Sequence, residues 1–268
     1  MSHPLFDMSG RVALVTGAAS GMGKAMSIAF AEAGADLVLA DRNTAGLEET
    51  AGQIGKLGRR ALPVTCNVSD PEEIRGLFSR LDAEFGRIDA LGNVAGDGLL
   101  AKPEEVSVEQ VQQVLQNLVV GRFCCCQEAG KRMLKAGKGS IINIGSLASV
   151  TALGRGHIAY SMAMGAVVQM TRELSTEWSG RGVRVNAILP AQVLNAGLEA
   201  RMQSDPPLRD TYLRGIPSAR FGRPDDIKGL AIFLASDASP WITGAIIPMD
   251  GGNLAQNANG TYPGAPRG

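Results

Sequence analysis

Tyr160 opens the run Tyr160-Ser161-Met162-Ala163-Met164, and its phenol can give a proton to a small substrate or take one from it. An isolated tyrosine has a pKa of about 10, so working near pH 7 calls for roughly 4 kcal/mol of stabilisation of the phenolate. A single cation at about 4 Å in an effective dielectric of ~20 supplies that much. Four residues after Tyr160, on the same helical face, stands Met164. A thioether carries no charge, so the pair describes a weakened or altered acid/base site. Arg155 and His157, in the loop before Tyr160, are alternative sources of charge or proton relay.

A second chemical signal is Thr16-Gly17-Ala18-Ala19-Ser20-Gly21-Met22-Gly23, between an apolar run and a helical pattern. Glycines there allow a tight turn, close approach of backbone to a pyrophosphate, and packing of helix on sheet. The amides at the following helix N-terminus suit phosphate oxygens. Asp41 ends the next apolar run, where a carboxylate accepts both hydroxyls of an adenosine ribose and repels a 2′-phosphate. NAD is therefore expected over NADP, although the neighbouring Arg42 suits a 2′-phosphate.

These residues require a framework of alternating strands and helices. Strands are predicted at 11–16, 35–40, 60–65, 88–93, 140–144, 183–188 and 245–249. Their shortness and near-continuous apolarity suit a parallel sheet covered on both faces. Helices are predicted between them, including 71–85, 107–136, 158–179 and 224–236, with Pro71 and Pro224 at helix starts. The expected architecture is α/β: one three-layer domain over residues 1–252 built on a doubly wound, Rossmann-type parallel sheet. The tail, 253–268, is rich in Asn, Gly, Ala and Pro, and is expected to pack on the domain or on a neighbouring subunit around Tyr262 and Pro263.

Bulk properties narrow the partners. Lys plus Arg and Asp plus Glu balance at 26 each, with no basic run to attract nucleic acid or an anionic membrane surface. The N-terminus lacks a signal-peptide pattern, and no apolar stretch is long enough to span a bilayer, so a cytoplasmic location is expected. Of the 4 cysteines, Cys124, Cys125 and Cys126 are consecutive, which reads as small buried hydrophobes rather than a disulfide framework or metal site. No metal ligand set is expected.

The chain resembles the short-chain dehydrogenase/reductase family from residue 7 to 252. The resemblance rests on the Thr16 to Gly23 motif, Asn93-Val94-Ala95-Gly96, Asn117, Ser146, Tyr160, Asn186-Ala187-Ile188-Leu189-Pro190 and Asp250-Gly251-Gly252. It implies a sheet of order 3-2-1-4-5-6-7, a homotetramer or homodimer, and hydride transfer between a nicotinamide cofactor and a secondary alcohol or ketone. Ser146 would hold the substrate oxygen, with Ser149 as the fallback, Tyr160 would be the acid/base, and Asn117 would organise a water relay. Asn93 would support the central sheet. Asn67 and Val68 would border the adenine, with Asn67 where the family usually has aspartate. Ala95, Gly96, Pro190, Ala191 and Val193 would line the cofactor's path.

The resemblance also implies a lysine at position 164, where this chain has Met164. Three explanations stay open: an engineered inactivating substitution, a natural site with charge from Arg155 or His157, or a cofactor fold that has lost redox chemistry. A catalytically weak scaffold, or a non-redox lyase or isomerase using the same cleft, are the alternatives to a dehydrogenase. Ala191 replaces a more usual glycine, and the usual downstream threonine is missing, with Asn195 as a possible substitute. The segment 193–217 matches a variable substrate-covering region, in which Leu198, Met202, Leu208, Tyr212 and Leu213 would form an apolar wall. Arg201, Arg209 and Arg214 there are candidates to receive an acidic group.

Overall fold

Every residue of the first strand, Val12–Thr16, is buried, because helices cover it from both sides. A computed structural model describes residues 3–256. The expected tail packing, including Tyr262 and Pro263, falls on 257–268, outside the described residues.

Among the described residues the strands form one seven-stranded parallel sheet of order β3-β2-β1-β4-β5-β6-β7. The strands are β1 Val12–Thr16, β2 Asp36–Asp41, β3 Ala61–Thr65, β4 Ala90–Asn93, β5 Gly139–Ile144, β6 Val183–Pro190 and β7 Ile246–Met249. Each lies within two residues of its predicted boundaries at either end. The helices are α1 Gly21–Glu32, α2 Thr44–Lys56, α3 Pro71–Phe85, α4 Val108–Leu115, α5 Arg122–Ala136, α6 Ile158–Trp178, α7 Ala196–Ser204, α8 Pro207–Arg214 and α9 Lys228–Ala235.

Strand alternation divides the core into two layers. Ala13 and Val15 face a cluster with Met26 and Phe30 of α1, Leu47 of α2 and Leu234 of α9. Val12 and Leu14 face the other side, against Ile74, Phe78 and Leu81 of α3 and Cys125, Cys126 and Met133 of α5. All four cysteines are free and buried, and for Cys124, Cys125 and Cys126 this is the burial that the sequence predicts. Burial pushes the Cys66 and Cys126 thiols up to about 12. No described helix is long and apolar enough to cross a membrane.

The sequence predicts one helix over 107–136, and the structure breaks it. Between α4 and α5, residues Gln116–Gly121 form a π-helical segment. At Gly121 a Cβ would sit 1.8 Å from the carbonyl oxygen of Val68, so backbone approaches backbone there and only glycine fits. The predicted 224–236 helix is likewise divided, into a 3₁₀ turn Pro224–Ile227 and α9. The short strand-like apolar run before each helix is what made the sheet legible, whereas an i→i+5 insertion leaves the apolar periodicity almost unchanged.

Candidate active site

All seven strands end on one edge, and between β1 and β4 the connections diverge, leaving a crevice above their carboxyl ends. Thr16 shapes its floor: its hydroxyl accepts hydrogen bonds from the amides of Val94 at 3.0 Å and Ala95 at 3.1 Å. Gly17, with φ of 72°, turns the chain so tightly that a Cβ would lie 3.0 Å from the Ala95 nitrogen. A Cβ at Gly23 would lie 2.1 Å from the Gly17 carbonyl oxygen, so that glycine lets α1 close onto the turn.

The start of α1 can hold phosphate. Ser20 is its N-cap and makes no side-chain capping bond, so the amides of Gly21, Met22 and Gly23 keep their outward donors. A Cβ at Gly21 would touch nothing within 4 Å, so the surface above it is open. Asp41 closes β2, and its carboxylate accepts from the Ala19 amide at 3.2 Å and the Asn43 amide at 3.0 Å. That fixes the side chain beside the glycine turn with remaining lone pairs for ribose hydroxyls. Arg42 points to Asp97, with an ion pair of 2.9 Å, and both are exposed. Asn67 uses its amide oxygen to accept from the Ser69 amide at 3.1 Å, and Val68 is buried against Gly121.

Further along the edge lies a cavity of about 640 Å³. It brings together Met22, Gly96, Ser146, Tyr160, Pro190, Ala191 and Val193 of the sequence-predicted set. Ser146, 9% exposed, follows β5 and starts a 3₁₀ turn, where its hydroxyl accepts from the Ala148 amide at 3.2 Å. Ser149 is not in the cavity lining, and its hydroxyl accepts from the Ser146 amide at 3.2 Å. Tyr160 lies in the first turn of α6, with its ring against Gly98, where a Cβ would come within 2.7 Å of it.

Other predicted residues stand outside the cavity lining. Met164 is 1% exposed and packs in an apolar cluster with Leu118, Ala148 and Val167. Asn93 donates to Asn143 at 3.1 Å and to the Arg122 carbonyl at 3.2 Å, tying β4 to β5 and α5. Asn117 sits in the π segment, and its Oδ1 is buried with no hydrogen-bond partner. Such an acceptor calls for a donor such as water or a ligand group.

The two loop groups predicted as alternative charges line the same cavity as Tyr160, and each has a further partner. Arg155, with φ of 59°, stacks over the Tyr212 ring at 4.6 Å. His157 shares a hydrogen bond of 2.9 Å with the Gly154 carbonyl, its ring edge-on to Tyr160 at 6.2 Å between centroids. Asn195 caps α7, accepting from the Leu198 amide at 2.9 Å, so its carbonyl is committed to the helix. Leu198, Arg201 and Tyr212 reach the cavity from α7 and α8, while Arg209 pairs with Asp210 at 3.3 Å.

Several lining residues escaped the sequence reading, among them Asp97, Leu118 and a buried cation. Arg122, first residue of α5, is 4% exposed, and its guanidinium lies beneath the cavity. It donates to the carbonyls of Ile144, Val94 at 3.4 Å and Ala95 at 3.2 Å. The available signal was a charge inside the otherwise apolar run from Leu118 to Cys126.

Known proteins align with this arrangement over nearly the whole chain. Residues 17–253 match the family described as Enoyl-(Acyl carrier protein) reductase. D-threitol dehydrogenase of Mycolicibacterium smegmatis is 43% identical over 248 residues, covering 92% of this chain and 94% of that protein. NAD-dependent glycerol dehydrogenase of Listeria innocua is 36% identical over 248 residues, covering 92% of this chain and 95% of that protein. Among solved structures, a gluconate 5-dehydrogenase from Burkholderia cenocepacia in complex with NADP and tartrate superimposes with a TM-score of 0.88 at 29% identity, covering 94% of this chain and 98% of that chain. A sheet of this order, a match running from the glycine turn to the chain's last strand, and relatives at this identity place the chain in the short-chain dehydrogenase/reductase family.

Proposed function

We propose that the chain is an NAD-dependent dehydrogenase that interconverts a secondary alcohol of a small polyol with the corresponding ketone. The observation that carries this reading is the placement of Ser146 and Tyr160 in one cavity, on the sheet edge that also holds the glycine turn and Asp41. The relatives act on D-threitol and glycerol, and the cavity's rim carries polar groups suited to several hydroxyls, among them His157, Gln192 and Arg201.

Gly17, Gly21, Met22 and Gly23 would hold the cofactor's phosphates and Asp41 its adenosine ribose. Asn67 and Val68 would border the adenine, and Ala95, Gly96, Pro190, Ala191 and Val193 would flank the ring end. NAD is favoured over NADP because the carboxylate of Asp41 repels a 2′-phosphate and Arg42 is already paired with Asp97. Bound NAD supplies the hydride acceptor for oxidation. Ser146 donates its hydroxyl hydrogen bond to the substrate oxygen, and Tyr160 takes the alcohol proton, or returns it during reduction. Asn117, with its unpartnered Oδ1, would anchor the water that carries that proton onward.

Met164 occupies, in this reading, the position of the family's lysine, and the dry apolar setting of its side chain fits a residue that does not contact the ribose. Residues 1–252 would form the cofactor-binding domain and 253–268 an appended tail. The exposed apolar side chains Val120 and Phe123 near the start of α5, and Ile158 and Met162 on α6, favour a homodimer or homotetramer.

The test is a nicotinamide absorbance assay with tetritols, pentitols, hexitols and glycerol. Turnover of at least one polyol with NAD is expected, and Tyr160→Phe should lower kcat by about 10²-fold or more while NAD affinity changes little. Product formed without a change in nicotinamide absorbance would instead identify a lyase or isomerase.

A further inference from the structure

Arg122 is a fully charged group in a place that offers it little compensation. Its guanidinium remains protonated under all ordinary conditions. Its partners among the described residues are backbone carbonyls rather than carboxylates, and its Nε has no acceptor. Three carbonyls at the ends of β4 and β5 hold the two terminal nitrogens but bring no negative charge. A buried cation in that state is costly unless an anion forms beside it.

The cavity narrows the choice of anion. Asp97 on the β4–α4 loop is paired with Arg42, and Tyr212 on α8 has Arg155 from the β5–α6 loop stacked on its ring. Arg201 on α7 is exposed and donates to the Gly197 carbonyl at 3.4 Å. His157 is held edge-on to Tyr160 by its bond to Gly154. The remaining acidic group in the lining is the phenol of Tyr160 itself. One short loop connects the two side chains: a Cβ at Gly96 would lie 3.5 Å from Arg122 Nη2, and a Cβ at Gly98 would lie 2.7 Å from the Tyr160 ring. Burial draws the Arg122 guanidinium below its ordinary pKa, and Tyr160 is first among the groups whose negative charge would hold it up.

We propose that Arg122 supplies, from α5, the fixed positive charge that stabilises the Tyr160 phenolate, so that the site works as a base without a cation on α6. Arg122 is thus a positioning residue acting through Tyr160. The proposal rests on the reading of Tyr160 as the acid/base of a dehydrogenase. It gives the Met164 site a physical explanation: with the charge delivered from below the cavity, the α6 position is released for apolar packing against Leu118 and Val167.

The experiment measures ionisation directly and needs neither cofactor nor turnover. The chain has 3 tyrosines, so ring-carbon NMR of ¹³C-tyrosine-labelled protein resolves each, with Tyr160 assigned by its loss in Tyr160→Phe. Arg122→Gln keeps an N–H donor without the charge, and Arg122→Lys keeps the charge. The glutamine variant should shift Tyr160 ionisation to higher pH by a factor of about ten or more in the ionisation constant, and the lysine variant by less than about threefold. Unchanged ionisation in a folded Arg122→Gln protein, checked by circular dichroism, overturns the proposal. Should that variant not fold, titration of Met164→Lys decides: a change under about threefold supports a cation already in place, and one of about tenfold or more overturns it. A parent protein inactive on every polyol would count against the functional reading, while the titration still decides the role of Arg122.

Discussion

The carboxylate of Asp41 is held by two backbone amides at the end of β2, so its position does not depend on a bound ligand. If it receives the ribose hydroxyls, Asp41→Ala should weaken NAD binding by about tenfold, the scale of a hydrogen bond to a charged group, and bring NADP affinity closer to that of NAD. Calorimetric titration with both dinucleotides checks this, and an unchanged ratio would remove Asp41 from the cofactor site. The glycine turn, Asp41, Ser146 and Tyr160 were legible as candidates, from a strand end, a turn or a helix start taken together with the family resemblance. Arg122 was not, because the three carbonyls that hold it belong to two strand ends, at Val94 and Ala95 and at Ile144, that are far from it in sequence. The competing loop groups, Arg155 and His157, were visible in sequence for the opposite reason. Their proximity to Tyr160 along the chain said nothing of the Tyr212 ring and Gly154 carbonyl that occupy them.

The element that most alters the site is the π segment Gln116–Gly121. In a regular α-helix, residues five apart lie about 140° apart around the axis, at ~100° per residue. The i→i+5 bonding of a π segment brings such residues close to one turn apart. Asn117 and Arg122 are five apart, and both border Gly96, where a Cβ would lie 3.2 Å from Asn117 Oδ1 and 3.5 Å from Arg122 Nη2. The segment thus turns an orphaned acceptor and a buried cation toward the same spot. Gly121 is its packing point on Val68, and Gly121→Ala should cost about 3 kcal/mol or more through backbone overlap, measured as a loss of stability in urea unfolding. A loss under about 0.5 kcal/mol would show that the segment yields easily. Sequence periodicity located the flanking helices but passed over this insertion, since apolar residues on both sides keep the same buried stripe.

For the whole molecule, the strand order came with the family resemblance, while the parallel sheet and its three layers were legible because each strand is a short apolar run separated from the next by a helix. Quaternary structure was not, since it depends on which exposed faces meet. Phe123 and Met162 are 43% and 49% exposed, on the two helices that also carry Arg122 and Tyr160. If those helices form the subunit contact, Phe123→Glu combined with Met162→Glu should lower the molecular mass measured by light scattering, and an unchanged mass would place the contact elsewhere. The interior has a separate use. All four native thiols are enclosed, and two are pushed up to about 12, so almost no thiolate is available to an alkylating reagent near neutral pH. One cysteine introduced at an exposed position such as Trp241 would therefore take a maleimide dye selectively, giving a fluorescent reporter of subunit exchange with the native cysteines left in place.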